Sequence, residues 1–187
     1  IRDRHAPAHH LHPRKPPELT DIGAGHAAEP RGQTGRDLAA LPHDRAWYAD
    51  DLRIGDWMAL GSTTVSREEI REFAARFDPL PIHLDHVGGP FDDVIASGVH
   101  TMALYSSLAS RVFIPRLALL AGKGIERLRL PHPVFPGAVL HGSIEIVDIV
   151  TRSTRADVHY QSTFVDHTGN TVLSFVGITV LRRRPRG

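Results

Sequence analysis

The chain has 187 residues, 41% of them hydrophobic and 23% charged, the make-up of one soluble globular domain. Twenty-two Lys and Arg against 21 Asp and Glu leave a formal charge of +1, which argues for neither a nucleic-acid nor a membrane-surface partner. Zero cysteines exclude a disulfide framework, a thiolate zinc site and a cysteine nucleophile. The longest neutral run, Val94–Ser110, is 17 residues long and contains four serines, too short and too polar to span a bilayer. No apolar region follows the basic N-terminal residues as it would in a signal peptide, so a cytoplasmic location is expected.

Composition changes near residue 46. Residues 1–46 hold six of the 14 prolines, six of the 13 histidines and none of the 12 aromatic residues, with no sustained apolar period. Such a stretch buries too little apolar surface to offset the entropy of ordering it, and it is predicted to be a disordered low-complexity segment. Its His9-His10-x-His12 cluster reads as a solvated tail, because nothing fixes those rings around a metal. The chain begins at Ile1 rather than Met, so this stretch is set aside from the fold as one whose place in the native protein is open. Residues 47–187 form the expected domain, with 15 basic and 15 acidic residues.

Within that domain Trp57–Val65 is a strand candidate after the Gly55-Asp56 turn. Ser66-Arg67-Glu68-Glu69 has the form of a capping box, and Ile70, Phe73, Ala74 and Phe77 follow at helical spacing, which predicts a helix over 67–77. The two prolines of Asp78-Pro79-Leu80-Pro81 end it. After a loop over 85–93, Gly98–Ile114 reads as a second helix stopped by Pro115. Its apolar stripes, one through Val99, Met102, Ala103, Ser106, Ala109 and Phe113 and one through Leu104, Leu108 and Val112, predict a helix buried nearly all round. Gly124–Leu130 is a strand candidate and Pro131–Gly137 a rigid turn. The period then becomes two, through Leu140–Ile146, Val158–Phe164 and Thr171–Leu181, with Asp166–Asn170 as a hairpin turn. This order predicts an α+β domain in which a long antiparallel sheet wraps around the apolar helix.

Two features carry chemistry. Asp78 and His83 are five residues apart across a proline-rigidified turn, so a carboxylate and an imidazole can face one site, as two-way proton transfer requires; Asp-Pro is also a common turn opening. Ala96-Ser97-Gly98-Val99 opens the apolar helix, where glycine lets a ligand approach free N–H groups at the positive end of the helix dipole. That suits an oxyanion, although Ser97 or Gly98 serves equally as a cap. His83-x-x-His86 lacks a third ligand, and Arg182-Arg183-Arg184 reads as a solvated terminus or, more weakly, as an attractor of a ligand phosphate.

Taken together, Asp78-Pro79-Leu80-Pro81-Ile82-His83-Leu84-Asp85, Ala96-Ser97-Gly98 and Arg129-Leu130-Pro131-His132-Pro133-Val134-Phe135-Pro136-Gly137-Ala138-Val139-Leu140 resemble, in order and spacing, the signatures of the MaoC-like acyl dehydratases, the (R)-specific enoyl-CoA hydratase group of the hot-dog superfamily. The resemblance covers about residues 47–183. It implies a single hot-dog fold in which Asp78 and His83 activate water and deliver a proton, while Gly98 donates its N–H to the thioester oxygen. Ser97 lies with Gly98 on the substrate side, and Ser106 falls where related hydratases have a supporting serine; its bland alternative is a small buried residue in a packed helix. The chain departs from the pattern at Leu80, usually asparagine, at Ser97, often histidine, and at Ala138, customarily acidic.

The implied activity is reversible hydration of an α,β-unsaturated acyl thioester, enoyl-CoA to (R)-3-hydroxyacyl-CoA, with no cofactor and no metal. A hot-dog thioesterase and a non-catalytic acyl-binding subunit are the alternatives, and the presence of both Asp78 and His83 argues against each. The expected partners are an acyl-CoA or acyl-carrier-protein thioester and a second copy of the chain, as a homodimer or higher homo-oligomer that protects an edge strand.

Overall fold

The computed structural model describes residues 35–85 and 90–185. Strand β1 (Trp57–Thr64) leads to helix α1 (Arg67–Phe77), the single turn α2 (Pro81–Leu84) and the long helix α3 (Gly98–Val112). Strands β2 (Leu119–Arg129), β3 (Val139–Thr151), β4 (Arg155–Asp166) and β5 (Thr171–Arg182) follow. They form one antiparallel sheet in the order β1-β3-β4-β5-β2. The sheet is the bun and α3 the filling of a hot-dog fold.

Alternation places Leu140, Ile144 and Ile146 of β3, Val158, Tyr160 and Phe164 of β4, and Leu173, Phe175 and Leu181 of β5 in the core. Helix α3 sets aromatic rings against them. Tyr105 meets Phe164 and Phe175 edge-on at 5.5 and 5.2 Å, and Phe113 meets Tyr160 at 5.4 Å. Each such pair adds about 0.5–1.5 kcal/mol beyond the area it buries. At the start of α1 the capping box closes as the sequence predicts: Glu69 N–H donates to Ser66 Oγ at 3.1 Å, and Ser66 N–H donates to Glu69 Oε2 at 2.7 Å.

Three expectations are corrected. Helix α3 is not buried all round within one chain: His100, Thr101, Tyr105, Leu108 and Ala109 are buried, while Val99, Ala103, Ser106 and Ser110 line an exposed stripe. A single sheet covers only one side of a helix. Second, β2 begins at Leu119 rather than Gly124, because its ladder with β5 runs from Leu119↔Leu181 to Arg129↔Ser174 through glycines that blur the alternation. Third, the domain begins before residue 47. Leu38 is fully buried, and the Arg36 guanidinium grips the buried Asp56 carboxylate through Nε at 2.9 Å and Nη2 at 2.6 Å. One leucine and one arginine anchor this stretch without any periodic pattern. The expectation of disorder for residues 1–34, with its histidine cluster, lies outside the described residues.

Candidate active site

Asp78 is the C-cap of α1, its N–H still bonded to Ala74 O. The chain then restarts at once, since Pro81 sits in the first turn of α2, where its missing N–H costs nothing. His83 lies on that turn rather than on a loop and is 5% exposed. This turn was not legible as helix, because the paired prolines read as a terminator of α1 and also serve as an initiator of α2.

The next segment, Val94–Ser97, threads buried between α2 and the Pro131–Ala138 loop. Ile95 N–H donates to Ile82 O at 3.1 Å, and Ala96 N–H donates to Val134 O at 2.8 Å. These bonds bring three distant stretches of sequence to one place. Ile95 O accepts the ring Nδ1 of His83 at 2.8 Å. A carbonyl only accepts, so Nδ1 carries a hydrogen and Nε2 is the nitrogen free to exchange a proton. Nε2 stands 3.4 Å from Asp78 Oδ2. The same Oδ2 accepts the Ser97 hydroxyl at 2.6 Å, and Ser97 Oγ in turn accepts Val99 N–H at 3.2 Å as the N-cap of α3.

The structure thus brings Asp78, His83, Ser97 and Gly98 together. Gly98 is the first residue of α3, with its N–H at the positive end of the helix. Leu130, just beyond β2, covers it: a methyl group added to Gly98 would lie 2.5 Å from Leu130 Cδ1. Ser106 is not brought to the pair. It lies on the exposed stripe of α3, about 12 Å along the helix axis from Gly98.

Sequence reasoning missed the Ile95 carbonyl, which no side chain signals, and also His100. That imidazole is 6% exposed, stacks on Phe73 at 4.5 Å and leaves Nδ1 without a partner among the described residues. Burial pushes its pKa down, with the Glu69 charge opposing.

Elsewhere, Arg183 and Arg184 are not a free basic tip. Arg183 holds Asp50 at 2.6 Å and Arg184 holds Asp51 at 2.7 Å, pinning the end of β5 to the turn at Ala49–Asp51. His86 lies outside the described residues. Among the described residues, no group of three or more His, Cys, Asp or Glu converges on one point, and no helix is long and apolar enough to cross a membrane.

Comparison with known proteins gives the family. Residues 55–170 match the model of the MaoC like domain. The uncharacterized protein YdeM of Bacillus subtilis is 30% identical over 102 residues, spanning 53% of this chain and 72% of YdeM. The 3-hydroxyacyl-thioester dehydratase Z of Mycobacterium tuberculosis is 29% identical over 118 residues, spanning 60% of this chain and 71% of the dehydratase. Among solved structures, the MaoC-like dehydratase from Rhodospirillum rubrum superposes with a TM-score of 0.70 at 32% identity, over 75% of this chain and all of that one. A family match across residues 55–170, which include Asp78, His83 and the start of α3, leaves one conclusion: the chain belongs to the MaoC-like domain family.

Proposed function

We propose that the chain is a hydro-lyase that reversibly hydrates α,β-unsaturated acyl thioesters to 3-hydroxyacyl thioesters. The carrying observation is the pairing of Asp78 Oδ2 with His83 Nε2 at 3.4 Å beside the first N–H of α3. With Nδ1 fixed on Ile95 O, Nε2 is the nitrogen that exchanges a proton with Asp78, and hydration starts from the form in which Nε2 carries that proton. In hydration, Asp78 takes a proton from water as the water oxygen bonds to the β-carbon. His83 Nε2 delivers its proton to the α-carbon, and the electron pair of the double bond passes through the thioester oxygen, where Gly98 N–H stabilises the developing charge. The proton on Asp78 then returns to His83, which restores the pair and balances the cycle. The M. tuberculosis relative is named for 3-hydroxyacyl-thioester dehydration, which is this reaction in reverse.

The active species in this reading is a homodimer. Strand β2 is a sheet edge, and all 11 of its residues are exposed, so both of its faces and its outer hydrogen-bonding groups are open. Leu120, Ile125 and Leu128 lie along it, and the open stripe of α3 starts from the site that Leu130, just past its end, covers. A second copy paired along β2 about a two-fold axis satisfies the edge and covers the stripe.

The test is steady-state loss of conjugated-thioester absorbance with crotonyl-CoA and longer enoyl-CoAs. Asp78→Asn and His83→Ala are each expected to cut turnover about 10²–10⁴-fold while remaining folded. Free CoA release without hydration, or a variant within a few-fold of the parent, overturns the reading.

A further inference from the structure

We infer that Ser97 is a positioning residue for the base, a role that rests on the hydratase reading above. Its Oγ stands between two groups: it accepts Val99 N–H at 3.2 Å and donates to Asp78 Oδ2 at 2.6 Å. Ser97 is 1% exposed, so its hydroxyl hydrogen has no water to turn to. The backbone is fixed as well, since Ser97 O accepts both the N–H and the hydroxyl of Thr101, at 2.9 and 3.2 Å.

The choice of residue follows from the two contacts. Capping a helix requires only an acceptor, and aspartate serves as well as serine. Facing the Asp78 carboxylate, however, the cap must also donate, and a second carboxylate would repel it. A hydroxyl does both. Ser97 and His83 both address Oδ2, and among the described residues no hydrogen bond reaches Oδ1, which is left to take the proton from water. Because Ser97 and Gly98 are consecutive, the same bond sets the distance from the carboxylate to the N–H that faces the thioester oxygen. Ser97 therefore acts on the reaction through Asp78 and Gly98 rather than by touching substrate.

Two measurements on the full chain test this. In the first, Ser97→Gly, which keeps an acceptable cap but no hydroxyl, lowers kcat for crotonyl-CoA about 10–100-fold with KM within twofold, and Ser97→Thr restores most of kcat. A Ser97→Gly enzyme within threefold of the parent kcat, or a threonine variant no better than glycine, overturns the assignment. The second is a urea double-mutant cycle of Ser97→Gly with Asp78→Ala, which reads the contact without substrate. A coupling of about tenfold in the unfolding constant is expected, and additivity within twofold overturns the inference. If the parent fails to hydrate enoyl-CoA, the functional reading falls by itself, and the cycle still decides whether Ser97 holds Asp78.

Discussion

Replacing Leu38 by alanine tests the claim that the domain begins well before Trp47. Leu38 is fully buried although it lies on a three-residue turn, Leu38–Ala40, with no aromatic neighbour in sequence. Removing three buried carbons from a core that cannot fully collapse costs about 2.5–5 kcal/mol. Total stability of a domain this size is about 5–15 kcal/mol, and each kcal/mol moves the melting temperature by roughly 2–4 °C. The expected fall for Leu38→Ala is therefore about 5–20 °C. Deleting residues 1–46 costs more, since it also strips Arg36 from Asp56. The Asp56 side chain is 2% exposed and would retain the Arg53 N–H, at 2.8 Å, as a donor from the neighbouring turn. Because the Arg36 side chain is itself 37% exposed, the added cost is put at about 1–3 kcal/mol rather than the full penalty of a buried orphan charge. Thermal unfolding followed by circular dichroism measures both variants. A deletion that melts within 2 °C of the full chain refutes the boundary and the packing argument beneath it.

Two further outcomes follow from the same geometry. Burial holds the His100 pKa below its ordinary value, so below about pH 6.5 the unfolded chain takes up a proton that the native state resists. Stability from this group is present above that pH and is lost as pH falls; His100→Phe, which keeps a ring against Phe73, should make the decline in melting temperature from pH 7 to 5 shallower, and an equally steep decline refutes it. Placing a charge on the open edge with Ile125→Lys should weaken self-association at least about tenfold. Sedimentation equilibrium at micromolar concentration should find the parent at twice the 20.6 kDa chain mass, and a fully active parent at the single-chain mass refutes the dimer.

The elements with strong local signals were legible in the sequence. The capping box, the run Ile70–Phe77 and the alternation of β3, β4 and β5 each state their conformation within a dozen residues, and the ladder simply assembles them. What was not legible rests on contacts remote in sequence. The start of β2 depends on its partner Leu181, and the docking of residues 35–46 depends on Asp56, Trp57 and Arg116, which bonds Trp47 N–H at 2.6 Å. The exposed side of α3 depends on how far one sheet reaches. Apolar composition gave the helix an interior address, and topology within one chain fills only half of it.

The site divides along the same line. Asp78, His83, Ser97 and Gly98 are visible as motifs, yet what makes them a site is the backbone of Ile95 and Val134, which no side-chain pattern encodes. The rim adds a second layer of meaning to one departure from the family pattern. Phe77 precedes Asp78, Leu80 follows it by two residues, Val99 follows Gly98, and Leu130 lies over Gly98; all four are large, apolar and exposed, at 59%, 51%, 61% and 45%. Leaving four such groups in water forfeits several kcal/mol of possible burial. In the hydratase reading that burial is recovered when an acyl chain or a second subunit closes over them. On the same reading, water then leaves, the local dielectric falls, and the pull of the Gly98 N–H on the thioester oxygen strengthens where charge develops. In that reading the leucine at position 80 adds one of these exposed apolar groups two residues from Asp78.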